Sequence, residues 1–105
     1  MSQLPKTYRS FQDTYPEVWQ AYDRLGGAVH QAGPLDDRSR ALVKLALAVG
    51  ARQEGAVHAH VRKCLDAGLT ADEIRHAVLL AMPTVGFPST VAALSWVEDI
   101  LTTEA

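Results

Sequence analysis

Apolar residues return with a helical period along almost the whole chain, and nowhere do they alternate with the period of two that marks a half-buried strand. Thr14 or Tyr15 precedes Pro16-Glu17, a cap followed by a proline at the first helical position and an early acid. Val18, Trp19, Tyr22, Leu25 and Val29 then recur at helical spacing. Gly26-Gly27 weakens that helix midway and Gly33-Pro34 ends it. Asp36 or Asp37 caps a second helix running to about Ala51. In it Ala41-Leu42-Val43 and Leu45 to Val49 are apolar on every side, broken only by Lys44. A helix apolar all round must be covered all round, which a chain this short can hardly manage alone, so a subunit interface is expected on one side.

The third helix spans about Gln53 to Ala67 and stops at Gly68, which is placed for a left-handed cap. Thr70-Ala71-Asp72-Glu73 is a capping box opening a fourth, with Ile74, Ala77, Val78, Leu80 and Ala81 on its apolar side. Pro83 is expected to stop it. Gly86-Phe87-Pro88 then turns the chain into a last helix banded by Val91, Leu94, Trp96, Val97, Ile100 and Leu101. Residues 1–12 are polar and read as an extended N-terminal arm ahead of one helical domain over residues 13–105. The expected architecture is all-α, an oligomeric antiparallel bundle of about five helices with short loops.

Composition narrows the function. The chain has 105 residues, 48% of them hydrophobic, and a net charge of −2, so disorder and nucleic-acid binding are both disfavoured. The run Ala41–Ala51 is too short and too charged to span a bilayer, and the first residues lack the apolar stretch of a secretory leader. A single cysteine, Cys64, excludes an internal disulfide and any dithiol chemistry within one subunit; a cytoplasmic location is expected.

Candidate chemistry concentrates at the start of the third helix. Val57, Val61, Cys64 and Leu65 share an arc of roughly 100° that must face the core, with Glu54 inside it. His58 lies at one edge and His60 at the other, about 200° apart, so the two cannot reach one small site from the same chain. Glu54 and His58, at i and i+4, can meet. That pair is either an ordinary hydrogen bond near a helix start or a desolvated base polarising an imidazole. His60 is either a satisfied core-edge histidine or a proton carrier. Lys44 either keeps its ammonium wet along an extended stem or is buried against an anion, with Glu54 the nearest carboxylate on the next helix. Cys64 reads as a small hydrophobe. Arg62, Lys63 and Asp66 point to water. Trp19, Trp96 and Phe87 read as core or interface anchors.

Leu35-Asp36 before the apolar run Leu42–Val49, His60 followed by Lys63-Cys64-Leu65-Asp66-Ala67-Gly68-Leu69-Thr70, Glu73-Ile74-Arg75 and the Gly86-Phe87-Pro88 turn occur in this order. From about Leu35 to Leu101 the chain therefore resembles the carboxymuconolactone decarboxylase and alkylhydroperoxidase D-like superfamily. The resemblance implies an all-α fold, commonly assembled as homotrimers or homohexamers, acting on a small molecule. Peroxidase members carry Cys-x-x-Cys-x-x-x-His with a glutamate on the preceding helix. Aligned on His60, the two cysteine positions here are Gln53 and Ala56, and the glutamate position falls near Ala41. Without the thiol pair the peroxidase mechanism has no nucleophile.

Decarboxylase members also lack that pair, need no cofactor, and have a histidine followed by an arginine, as in His60-Val61-Arg62. The resulting expectation is a cofactor-free acid–base enzyme of decarboxylase type on a small organic acid or lactone. Glu54 would be base or orienting carboxylate, His58 and His60 proton carriers, and Lys44 an anion clamp. Two other readings stand beside it: a non-catalytic binder that has lost the redox cysteines of an alkylhydroperoxidase or peroxiredoxin-like ancestor, and a protein holding a divalent transition metal on Glu54 and His58.

Overall fold

The computed structural model describes residues 6–103, all of whose regular elements are helices. The chain divides into two compact units, Met1–Pro34 and Leu35–Ala105. The boundary falls at the Gly33-Pro34 break, within the stretch read as one domain.

The first unit holds α1 (Lys6–Thr14) and α2 (Pro16–Gln31). Residues 6–12 are therefore helical and not an extended arm; residues 1–5 of that arm lie outside the described residues. The helix forms because Phe11 and Tyr15, four apart, pair their rings at 5.2 Å, and the Tyr15 N–H donates to the Phe11 carbonyl at 2.8 Å. Pro16 opens α2 as expected, and Trp19 and Tyr22 contact one another at 5.8 Å.

The second unit holds α3 (Asp37–Gly50), α4 (Glu54–Asp66), α5 (Ala71–Leu79), a single turn α6 (Met82–Val85) and α7 (Phe87–Leu101). Asp36 caps α3 by accepting from the Ser39 N–H at 2.8 Å. At α5 the capping box is complete: Thr70 Oγ1 accepts from the Glu73 N–H at 3.1 Å, and Glu73 Oε1 accepts from the Thr70 N–H at 2.9 Å. Pro83 stands in the first turn of α6, where its missing N–H costs nothing, so it begins a turn where a stop was expected. No helix among the described residues is long and apolar enough to cross a membrane.

The helices α3 and α4 are joined by a turn that uses a non-glycine residue in the left-handed region. Arg52 has φ 59°; its N–H donates to the Val49 carbonyl, and the Gln53 N–H to that of Ala48. The same pair of bonds ends α4, where Gly68 (φ 89°) takes the left-handed position that its place in the sequence predicts. An L-residue there costs roughly 1 kcal/mol over glycine. Arg52→Gly is accordingly expected to raise unfolding free energy by about 0.5–1 kcal/mol, read as a higher urea midpoint at unchanged slope.

Buried Ala41, Leu45, Ala48 and Val49 of α3 meet Val57, Val61 and Cys64 of α4, Ile74 and Val78 of α5, and Ala93, Val97, Ile100 and Leu101 of α7. Two ion pairs brace this core at its rim. Arg75 donates through Nε and Nη2 to both oxygens of Glu98, at 2.8 and 2.9 Å, and Arg38 reaches the Gly68 carbonyl and Glu73, each at 2.9 Å. On α3 only one stripe is covered by the helices of the second unit. Val43 and Leu47 are 47% and 66% exposed, so the helix is not enclosed all round within the second unit.

Candidate functional site

The helix α4 carries every candidate imidazole between the faces set by its buried stripe Val57, Val61 and Cys64. The two histidines fall on opposite sides of that stripe, as helical geometry requires, and each meets different company. The four sequence-predicted residues therefore divide into two groups.

On one side are Glu54 and His58. His58 Nε2 lies 4.0 Å from Glu54 Oε2, beyond hydrogen-bond distance, and a nearer carboxylate is Asp99 of α7, whose Oδ2 is 3.1 Å away. Glu54 is not in the core-facing environment expected of it. Its side chain is 57% exposed, because it is the first residue of α4 and the arc it belongs to is covered only from the next turn onward. A desolvated Glu54 is thus not what the structure contains. Sequence spacing missed Asp99, which is 41 residues from His58.

On the other side is His60, partly buried, with Lys44 of α3 and Lys63 of α4 acting on it. Burial and then these two ammonium groups push its pKa down from 6.5 to about 4, so the free imidazole is neutral at physiological pH. Its Nδ1 is buried and has no hydrogen-bond partner among the described residues. The reading of His60 as a core-edge histidine with all its polar atoms satisfied is thereby set aside. Lys44 is also partly buried; its pKa is lowered by burial first, then by Lys63 and Arg40. The charge of Lys44 thus acts on His60, whereas Glu54 lies near His58 and Asp99. Lys63, read from sequence as a solvated charge, is exposed, yet its field reaches both Lys44 and His60. Its i,i+3 spacing from His60 was the available signal.

Cys64, one turn beyond His60, is fully buried and donates its S–H to the Ala41 carbonyl at 3.4 Å. Burial raises its pKa to about 11, so almost no thiolate exists at neutral pH and the group is inert as a nucleophile. Of the aromatic anchors, Trp96 packs against the core while Phe87 is 63% exposed.

The carboxymuconolactone decarboxylase family profile matches residues 16–99 of this chain. The chain belongs to the carboxymuconolactone decarboxylase family. This family member is 28% identical over 74 residues to the 4-carboxymuconolactone decarboxylase of Acinetobacter baylyi, covering 70% of this chain and 55% of that protein. It is 36% identical over 62 residues, 59% of this chain and 55% of the relative, to a Haemophilus influenzae protein named only "Uncharacterized protein". The chain thus spans about half the length of the curated relatives it matches.

Proposed function

We propose that this family member is a cofactor-free, acid–base decarboxylase of a small carboxylated lactone or similar organic acid, with His60 as proton donor and Lys44 and Lys63 as its anion-holding pair. The observation that carries the reading is the His60 ring: partly buried, held neutral by burial and then by the charges of Lys63 and Lys44, with a buried nitrogen that finds no partner among the described residues. A buried polar atom left unsatisfied is a cost that a bound ligand group can offset. The name of the Acinetobacter baylyi relative supplies the substrate class.

In the reaction the bond from carbon to carboxylate breaks, CO₂ leaves, and the electron pair stays behind, spreading onto the lactone carbonyl as an enolate. A proton then adds to carbon, so one proton is consumed overall. The negative charge migrates from carboxylate to enolate oxygen, and a cation accelerates the step only as far as it favours the second position over the first. Lys44 and Lys63, whose charges both act on the imidazole, would offer a partner at each position. Anion binding also offsets the positive field that holds His60 neutral, so the bound substrate raises the ring's pKa and loads it with the proton it will deliver.

The apolar face of α3 that the second unit leaves open, with Leu47 most exposed, favours a homo-oligomer, a trimer or hexamer by resemblance. A single buried thiol suits a reducing cytoplasm. Incubation with 4-carboxymuconolactone and related lactone acids is expected to release one CO₂ per substrate. Lys44→Ala should raise KM by roughly 10- to 100-fold, the loss of one charge-assisted contact. A panel of carboxylated lactones giving neither CO₂ nor saturable binding would overturn the proposal.

A further inference from the structure

The remaining cluster, Glu54, His58 and Asp99, is not used by proton transfer at His60 and has a chemistry of its own. One ligand atom from each residue can be chosen so that all lie within 4.8 Å of one another. The carboxylates come from two helices, Glu54 one turn before His58 on α4 and Asp99 near the end of α7. Both face the same ring nitrogen, His58 Nε2, at 4.0 and 3.1 Å. A single N–H can be donated well to only one of them, which leaves two negative charges around one proton.

We propose that these three side chains form a divalent transition-metal site. Two donors bound about 2.0–2.1 Å from a zinc-like ion stand roughly 2.9–3.4 Å apart at tetrahedral to octahedral angles. The separation of His58 Nε2 and Asp99 Oδ2 already lies in that range; Glu54 must close on His58 Nε2 by roughly 0.6–1.1 Å, and with all three atoms within 4.8 Å no separation needs to shrink by more than about 2 Å. The part that must stay fixed and the parts that must move are distributed accordingly. The His58 side chain is 23% exposed, held in α4, while both carboxylates are 57% exposed and free to rotate onto an ion. Two carboxylates and a neutral imidazole balance a divalent charge. The mixed nitrogen and oxygen set selects zinc, manganese, iron, cobalt or nickel over calcium or magnesium. Three protein ligands leave further positions for water or an anionic ligand.

The test is titration of tag-free protein, stripped with a chelator, with Co²⁺ followed by its visible absorption and with Zn²⁺ by calorimetry. One ion per chain is expected to bind saturably. His58→Ala should abolish the visible Co²⁺ bands, and Asp99→Asn should weaken binding at least about tenfold. His60→Gln should bind metal as the wild type does, so loss of the decarboxylase reading and loss of the metal site register separately. No saturable binding of Co²⁺, Zn²⁺, Mn²⁺ or Ni²⁺ up to millimolar concentration, or binding that survives His58→Ala, would sink the site.

Discussion

His60→Gln is expected to lower kcat for lactone-acid decarboxylation by roughly 10²- to 10⁴-fold, the usual worth of a positioned proton donor. Glutamine keeps hydrogen-bonding capacity but cannot carry the proton. The pH dependence gives the sharper reading. In the free protein His60 titrates at about 4, so at neutral pH only a small fraction holds a proton. If the protonated ring is the form that reacts, kcat/KM falls about tenfold per pH unit above that value, while kcat stays level up to the higher pKa of the complex. The loss then appears in KM, and substrate binding takes up a proton. Calorimetry in buffers of different ionisation enthalpy measures that uptake directly. Lys63→Gln removes one of the two cations that hold the free ring neutral, so the descending limb should move to higher pH. A profile that is flat in kcat/KM from pH 5 to 8, with no proton uptake, would show that His60 is not the donor.

Much of the second unit is legible in the sequence because its boundaries are written in local chemistry. Gly68 takes the left-handed position, Thr70 and Glu73 make the reciprocal cap, and Asp36 caps α3, each within a few residues of its partner. The helix α1 is not legible in that way. Its apolar residues in Lys6–Thr14 are Tyr8 and Phe11, both exposed, too few to make a stripe, and its support is a ring contact with Tyr15 beyond its end. Arg52 carries no sequence mark of its left-handed backbone, because the feature that demands it is a turn geometry shared with Gly68. In the candidate site the spacing of His58 and His60 fixed their separation in advance, since both ride one helix. What that spacing could not fix was their company. Asp99 reaches His58 from α7, and the charge of Lys44 on α3 acts on His60, through a packing decided by the core residues between them. Glu54 shows the opposite failure. Its angle on the helix wheel pointed inward, but a wheel has no ends, and the first residue of α4 projects past the packed part of the core.

Leu45→Ala is expected to cost roughly 2–5 kcal/mol in unfolding free energy. Leu45 has no exposed surface and lies between α3 and the rest of the core, so truncation loses the transfer energy of the removed methyl groups and leaves a cavity that rigid helices cannot fully close. Against a stability of about 5–15 kcal/mol for a chain of this length, that loss moves the urea midpoint far down and threatens folding at growth temperature. The same change at Leu47 makes the contrast. Leu47 sits two residues on, 66% exposed, on the face of α3 that the second unit leaves uncovered. In an isolated subunit Leu47→Ala should change stability by no more than about 0.5 kcal/mol. If a second subunit covers that face, it instead removes interface contacts: stability becomes dependent on protein concentration, and the mass seen by light scattering shifts toward monomer. Leu45→Ala lowers stability under either condition, so the pair separates what the chain's own core contributes from what assembly adds. A Leu47→Ala variant with wild-type stability and wild-type mass at every concentration would mean that this leucine faces water and that the apolar face of α3 is not where subunits meet.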